Sequence, residues 1–135
     1  MLTGTGANSY EAVLLLEPLK APNTVANFLR YVNQGFYDQT VFHRFLKSGV
    51  NVVQGGSYAY AAGSYQTKAS TLPAIALEST LSSTLSNTAG SIAMARTSDP
   101  DSATAGFFVN TSNNAASFDS STSRNGLPDS IRPRP

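Results

Sequence analysis

The sequence has no cysteine, which excludes disulfides, thiol nucleophiles, thiolate metal sites and thiol redox chemistry together. It has a single histidine, His43. One imidazole cannot build a multi-histidine zinc site, any Ser-His-Asp triad would have to use it, and no carboxylate cluster stands beside it. Charge is scarce: charged residues make up 13% of the 135 positions, and the net charge is +1. No strong field therefore points at nucleic acid or a membrane surface. Long apolar runs are missing as well. The longest near the start, Ala12 to Leu16, is far too short to span a bilayer. No basic-then-apolar leader follows Met1. The Ser, Thr and Asn that replace charge leave the compartment unassigned, with cytoplasmic and exported locations both open.

What is present is one domain's worth of chain, long enough to bury a core. Ala12 to Leu16 reads as a buried strand closed by Glu17-Pro18. Pro22 suits a first helical position. Val25, Phe28, Leu29 and Val32 follow at helical spacing, which predicts a helix over 22–33 ended by Gly35. Strands are predicted at 40–46, 50–54, 91–95 and 107–110, with a short one at 74–78. The stretch from Ser57 to Thr71 reads as a long surface loop with some extended structure. Its tyrosines, Tyr58, Tyr60 and Tyr65, have only Lys68 as a positive charge among them, which favours an amphipathic loop over a nucleic-acid stacking surface. Order signals fade after Asn113. The segment from Ser120 to Pro135 holds four serines, three arginines and three prolines without period, and is read as an irregular tail. Short strands with turn signals and a helix indicate a mainly β barrel or sandwich capped by helices.

Several blocks narrow this further. Ala21-Pro22-Asn23-Thr24-Val25-Ala26-Asn27-Phe28, then Phe36-Tyr37-Asp38, Thr40-Val41-Phe42-His43-Arg44 and Gln54-Gly55-Gly56, resemble cyclophilin-type peptidyl-prolyl cis–trans isomerases. Ser91 to Thr97, Ser102-Ala103-Thr104 and Phe107-Phe108-Val109-Asn110 continue the resemblance in order, in a bacterial style. It implies a mainly β, cyclophilin-like antiparallel barrel with capping helices over 1–119. It also implies an exterior groove for X-Pro peptides and unfolded proteins, and no metal or cofactor. The expected molecule is a monomer that binds neither nucleic acid nor membrane. By the same resemblance Arg44 is the catalytic residue. Gln54 holds substrate backbone, Ala95 lines the groove, Phe108 floors the proline pocket and Phe118 lines it. Val52 and Arg96 complete the substrate-binding set, with Arg96 expected at the groove edge facing solvent.

The chemistry suits those residue types. An X-Pro amide isomerises slowly because resonance imposes a barrier of roughly 18–20 kcal/mol. A donor near the prolyl nitrogen lowers it by bonding the twisted amide better than the planar one. A guanidinium carries such donors in a fixed plane and is always charged. From residues alone the favoured reading of Arg44 is a surface strand arginine in a salt bridge, and the surrounding blocks turn it to the site. Adjacent Phe107 and Phe108 must face opposite sides of a strand, and only the resemblance selects Phe108 for the pocket. His43 is expected to be a partly buried strand residue hydrogen-bonded to a neighbour, and Met94 to be core.

Departures from the family pattern are also visible. The Arg44 to Gln54 stretch is two residues longer than usual, with Asn51 and Val52 (or Val50, shifted by the insertion) at a Phe-Met pair. Gly106 replaces a glutamine, Ser117 stands where many members carry a large side chain, and no histidine follows Phe118. Leu127-Pro128-Asp129-Ser130 occupies the place of a closing strand. The expectation is therefore a barrel incomplete at its C-terminus and marginal in stability. Two rivals to catalysis follow: a proline-peptide binding module, and a non-functional fragment.

Overall fold

The computed structural model describes residues 2–3, 9–78 and 85–119. Strand β1 (Leu2–Thr3) pairs antiparallel with β2 (Glu11–Ala12). The strand expected over Ala12 to Leu16 shrinks to this start. Among the described residues no ladder takes up the rest of the run; Val13 and Leu15 are exposed while Leu14 and Leu16 pack beside Phe28.

Helix α1 (Pro22–Asn33) has the expected bounds, with proline in its first turn. No side chain of its own caps it. Glu78 does so instead, accepting the Asn23 and Thr24 backbone N–H groups at 2.8 Å each. Its carboxylate satisfies two orphan donors and faces the positive end of the helix dipole. The buried stripe comprises Val25, Asn27, Phe28 and Tyr31, a rotation from the expected face that leaves Leu29 exposed. Asn27 can enter because its Nδ2 donates to the Thr104 carbonyl at 2.8 Å. Gly35, at φ 67°, turns the chain out of the helix.

The main sheet is antiparallel. It contains β3 (Thr40–Ser48), β4 (Val50–Ala61), β5 (Ser64–Thr67), β6 (Ile92–Met94) and β7 (Phe107–Asn110). The order is β3-β4-β7-β6, with β5 also on β4, and among the described residues the sheet does not close. A short helix, α2 (Ala115–Phe118), follows. The surface loop expected from Ser57 to Thr71 is instead the outer half of β4 and a hairpin to β5. Its turn uses Ala62 and Gly63, both at positive φ, as a two-residue hairpin requires. Tyr60 and Tyr65 stand opposite each other there, ring centroids 5.4 Å apart. The short strand expected at 74–78 is one bridge, Ile75 to Ala103. The expected tail over 120–135 lies outside the described residues.

The two faces of β7 carry different cores. Phe107 packs with Phe28, Met94 and Ala103, and its ring meets those of Phe28, Tyr37 and Phe42 edge-on. Gly56, at φ 83°, lets the β4 backbone lie against this ring, because a Cβ there would sit 2.8 Å from it. Beside this cluster a groove of about 380 Å³ runs between residues 13–16, α1 and β6. Phe108 faces the other way, into a cluster with Val52 and Phe118.

Candidate peptide groove on the Phe108 face

Residues directly opposite one another on neighbouring strands share a face of the sheet. Arg44 on β3 is opposite Gln54 on β4, Gln54 is opposite Phe108 on β7, and Phe108 is opposite Ala93 on β6. These four side chains therefore form one row across the sheet. The next row holds Leu46, Val52 and Asn110 by the same pairings.

A β-bulge puts Arg44 in this row. Phe42 pairs with Gly55 and Arg44 with Gln54, so two steps on β3 match one step on β4. The extra residue is His43. In a regular ladder Phe42 and Arg44, two residues apart, would share a face. With the bulge, Phe42 turns to Phe107 while Arg44 turns to the Phe108 side. His43 itself packs on the Tyr58 ring at 4.3 Å between centroids. Neither ring nitrogen makes a well-aligned hydrogen bond, though the Val41 carbonyl lies close enough to act on the imidazole. Burial holds its pKa below the usual imidazole value, the neighbouring Arg44 charge adds to this, and the Val41 carbonyl only partly opposes it.

The floor beside Arg44 and Gln54 is apolar and tight. Val52 and Phe108 are 0% exposed and Phe118 is 1% exposed. The Phe108 and Phe118 rings meet at 5.6 Å and 70°, the offset edge geometry aromatic pairs prefer. Leu46, Val50, Ala93 and Ala95 pack around them. Gln54 is 2% exposed, and its Oε1 accepts no hydrogen bond. A buried acceptor without a protein partner calls for an explanation, and a ligand N–H is one that would satisfy it.

Of the candidate site residues, Arg44, Gln54, Val52, Ala95, Phe108 and Phe118 fall on this one face. Arg96 does not fit its expected place. It is 4% exposed rather than solvent-facing, with Nη1 turned back onto the Thr97 carbonyl at 2.9 Å. Leu46 and Ala93 were missed, and Val50, named only as the shifted alternative at the Phe-Met pair, packs here as well. Alternation from Arg44 and from Ala95 would have found Leu46 and Ala93. Gly106, where the family pattern has glutamine, lies so close to the Ser57 hydroxyl that a side chain would displace it. Among the described residues no three His, Cys, Asp or Glu side chains gather as metal ligands, and no helix is long and apolar enough to cross a membrane.

The antiparallel sheet thus gathers an arginine, a glutamine and a buried aromatic cluster on one face. The chain belongs to the cyclophilin-type peptidyl-prolyl cis–trans isomerase family, whose model matches residues 6–124. It is 42% identical over 115 residues to the peptidyl-prolyl cis–trans isomerase A of Dickeya dadantii (strain 3937), covering 85% of this chain and 55% of that protein. It is 40% identical over 114 residues to the isomerase cyp18 of Streptomyces antibioticus, covering 84% and 64%. Isomerase B of Escherichia coli (strain K12) is 42% identical over 95 residues, covering 70% and 53%. The chain thus spans about half to two thirds of the length of these relatives.

Proposed function

We propose that this protein catalyses cis–trans isomerisation of X-Pro bonds in peptides and unfolded chains, acting as a monomer without cofactor, nucleic acid or membrane. The carrying observation is the row Arg44–Gln54–Phe108 across three strands. Phe108, Val52 and Phe118 anchor the proline ring by apolar burial. Gln54 Oε1 takes a backbone N–H of the peptide and fixes its direction. Arg44 then donates to the prolyl nitrogen as its lone pair returns in the twisted amide. That bond exists only near the transition state, so it speeds the rotation rather than merely tightening binding.

The test is exchange NMR or a protease-coupled assay on a Xaa-Pro peptide, using the 135-residue chain. Arg44→Ala is expected to lower kcat/KM by about 10²–10³-fold, the usual loss for one transition-state donor. Equal rates for the unmodified chain and Arg44→Ala would sink the enzyme reading. A second reading, proline-peptide binding without useful catalysis, draws support from Gly106, which packs on Ser57 and carries no side chain toward the groove. Peptide affinity without rate enhancement would select it.

A further inference from the structure

We propose that Asn114 is a positioning residue for the proline pocket, holding Phe118 against Phe108 and the Asn51–Val52 strand at a fixed distance; this rests on the isomerase reading of the site. Asn114 begins the turn into α2, and its carbonyl accepts the Ser117 and Phe118 N–H groups at 3.0 Å each. Its side chain reaches the other way. Nδ2 donates to the Asn51 carbonyl at 2.9 Å and to Asn110 Oδ1 at 2.7 Å. Oδ1 accepts the Asn51 N–H at 3.1 Å and the Ser112 hydroxyl at 3.2 Å. The amide thus uses both donors and two acceptor sites. Asn114 is 4% exposed and Asn110 is 1% exposed.

Each partner leads to the pocket. Asn51 precedes Val52. Asn110 stands two residues beyond Phe108 on β7, on the same face, and is opposite Val52. Asn110 Nδ2 in turn donates to Asn87 Oδ1 at 3.0 Å and to Ser91 Oγ at 2.9 Å. Asn87 Nδ2 donates to Asp119 Oδ1 at 2.7 Å, which ties down the residue after Phe118. Phe118 is therefore gripped on both sides, by Asn114 before it and Asp119 after it. Fully paired polar networks of this kind fix a single arrangement of what they surround. Apolar contact between Phe108 and Phe118 alone would leave that ring pair free to slide.

The test separates ring placement from general stability. Asn114→Ala should raise KM for an Ala-Pro peptide about tenfold, the worth of roughly one lost hydrogen bond, with kcat changed far less because Arg44 is untouched. The nuclear Overhauser contact between the Phe108 and Phe118 rings should weaken in the same variant. Asn27→Ala also removes a buried amide, one that bonds the Thr104 carbonyl, and should lower stability while leaving KM and the ring contact unchanged. Ser112→Ala deletes one arm only and should move KM in the same direction by less, which covers the case where Asn114→Ala does not fold. Unchanged KM and ring contact in Asn114→Ala or Ser112→Ala, or the same KM change in Asn27→Ala, would overturn the assignment. If the unmodified chain neither binds nor isomerises the peptide, the isomerase reading fails, and the ring contact alone decides the positioning claim.

Discussion

Two polar regions lie on the Phe108 face, and they differ in how fully their buried groups are bonded. In the asparagine network, the side-chain amides of Asn87, Asn110 and Asn114 all have partners. Around the Arg44 row, Gln54 Oε1 and both His43 ring nitrogens have no well-aligned partner, while Asn51, which joins the network through Ser112 and Asn114, keeps one open acceptor, Oδ1. A buried polar atom without a partner is a cost to folding, of about 1–3 kcal/mol. A network whose members are all paired returns that cost. The contrast teaches where the fold holds itself together and where it keeps bonding capacity for something else. The network is structural in the strict sense: its bonds are used up. The Arg44 row retains acceptors that a peptide can fill, and that is where the proposed substrate lies.

The sharpest way to break this comparison is to remove one amide from each region. Asn110→Leu strands Asn87 Oδ1 and takes one of two partners from Ser91 Oγ and from Asn114 Nδ2, which keep the Thr88 and Asn51 carbonyls. With one group orphaned and two bonds lost from groups that keep a partner, the loss should be about 2–3 kcal/mol. Gln54→Met is nearly volume-conserving and deletes an acceptor that had no partner, so it should cost less than about 1.5 kcal/mol. It should still weaken binding of a proline peptide. Urea unfolding of the two variants measures both losses. Similar values would mean that the two regions do not differ in the way proposed.

Much of this was legible in the sequence, and the reason is local. Helix α1 was read with its observed bounds because proline at its start and an apolar stripe are local signals. Strand β7 was read because Phe107 to Asn110 is a compact β-prone run. The resemblance placed Arg44, Gln54 and Phe108, which the register brings to one face, and Phe118, which packs on that face from α2. What stayed hidden is non-local. Asn51, Asn87, Asn110 and Asn114 look like turn and loop residues one at a time, and only folding makes them a network. The bulge at His43 has no sequence signature, yet it decides which face Arg44 serves. Asn27 was left off the predicted stripe because its burial depends on the Thr104 carbonyl, 77 residues away; Arg96, expected at the surface, is buried with Nη1 on the adjacent Thr97 carbonyl. The overextended strand at Ala12 to Leu16 failed for a related reason. An apolar run forms a ladder only where a partner strand is available.

A second satisfied group extends the comparison to the opposite side of the sheet. Glu78 is 6% exposed, and both of its oxygens are engaged by the start of α1. It is a helix cap supplied from 54 or 55 residues away. If satisfied buried polar groups are the stabilising ones, Glu78→Ala should cost about 2 kcal/mol, the upper range for a lost N-cap. Glu78→Gln keeps an acceptor for the backbone donors and should cost less. Thermal unfolding monitored by circular dichroism checks this. A neutral Glu78→Ala would place the stability of α1 in its apolar stripe alone.

The smallest effect concerns the unsatisfied region and is read through pH. His43 has a folded-state pKa held below its unfolded value, first by burial and then by the Arg44 charge. The unfolded chain, with an imidazole pKa of about 6.5, therefore binds the proton more readily than the folded one. Well above that pH both states are neutral, and His43 contributes no pH dependence. As pH falls through about 6.5 toward the lower folded value, the unfolded state gains protons first and stability declines. Below the folded value both states are charged and the decline stops. The window is clean because histidine is the side chain whose ordinary pKa lies there, and the sequence has only one. Urea midpoints measured between pH 7.5 and 5 should fall with pH in the unmodified chain. They should stay nearly level in His43→Phe, which keeps a ring against Tyr58 but has nothing to protonate. Parallel slopes in the two proteins would show that the imidazole nitrogens gain a partner on protonation. The bulge that aims Arg44 would then not be the unsatisfied point it is in this structure.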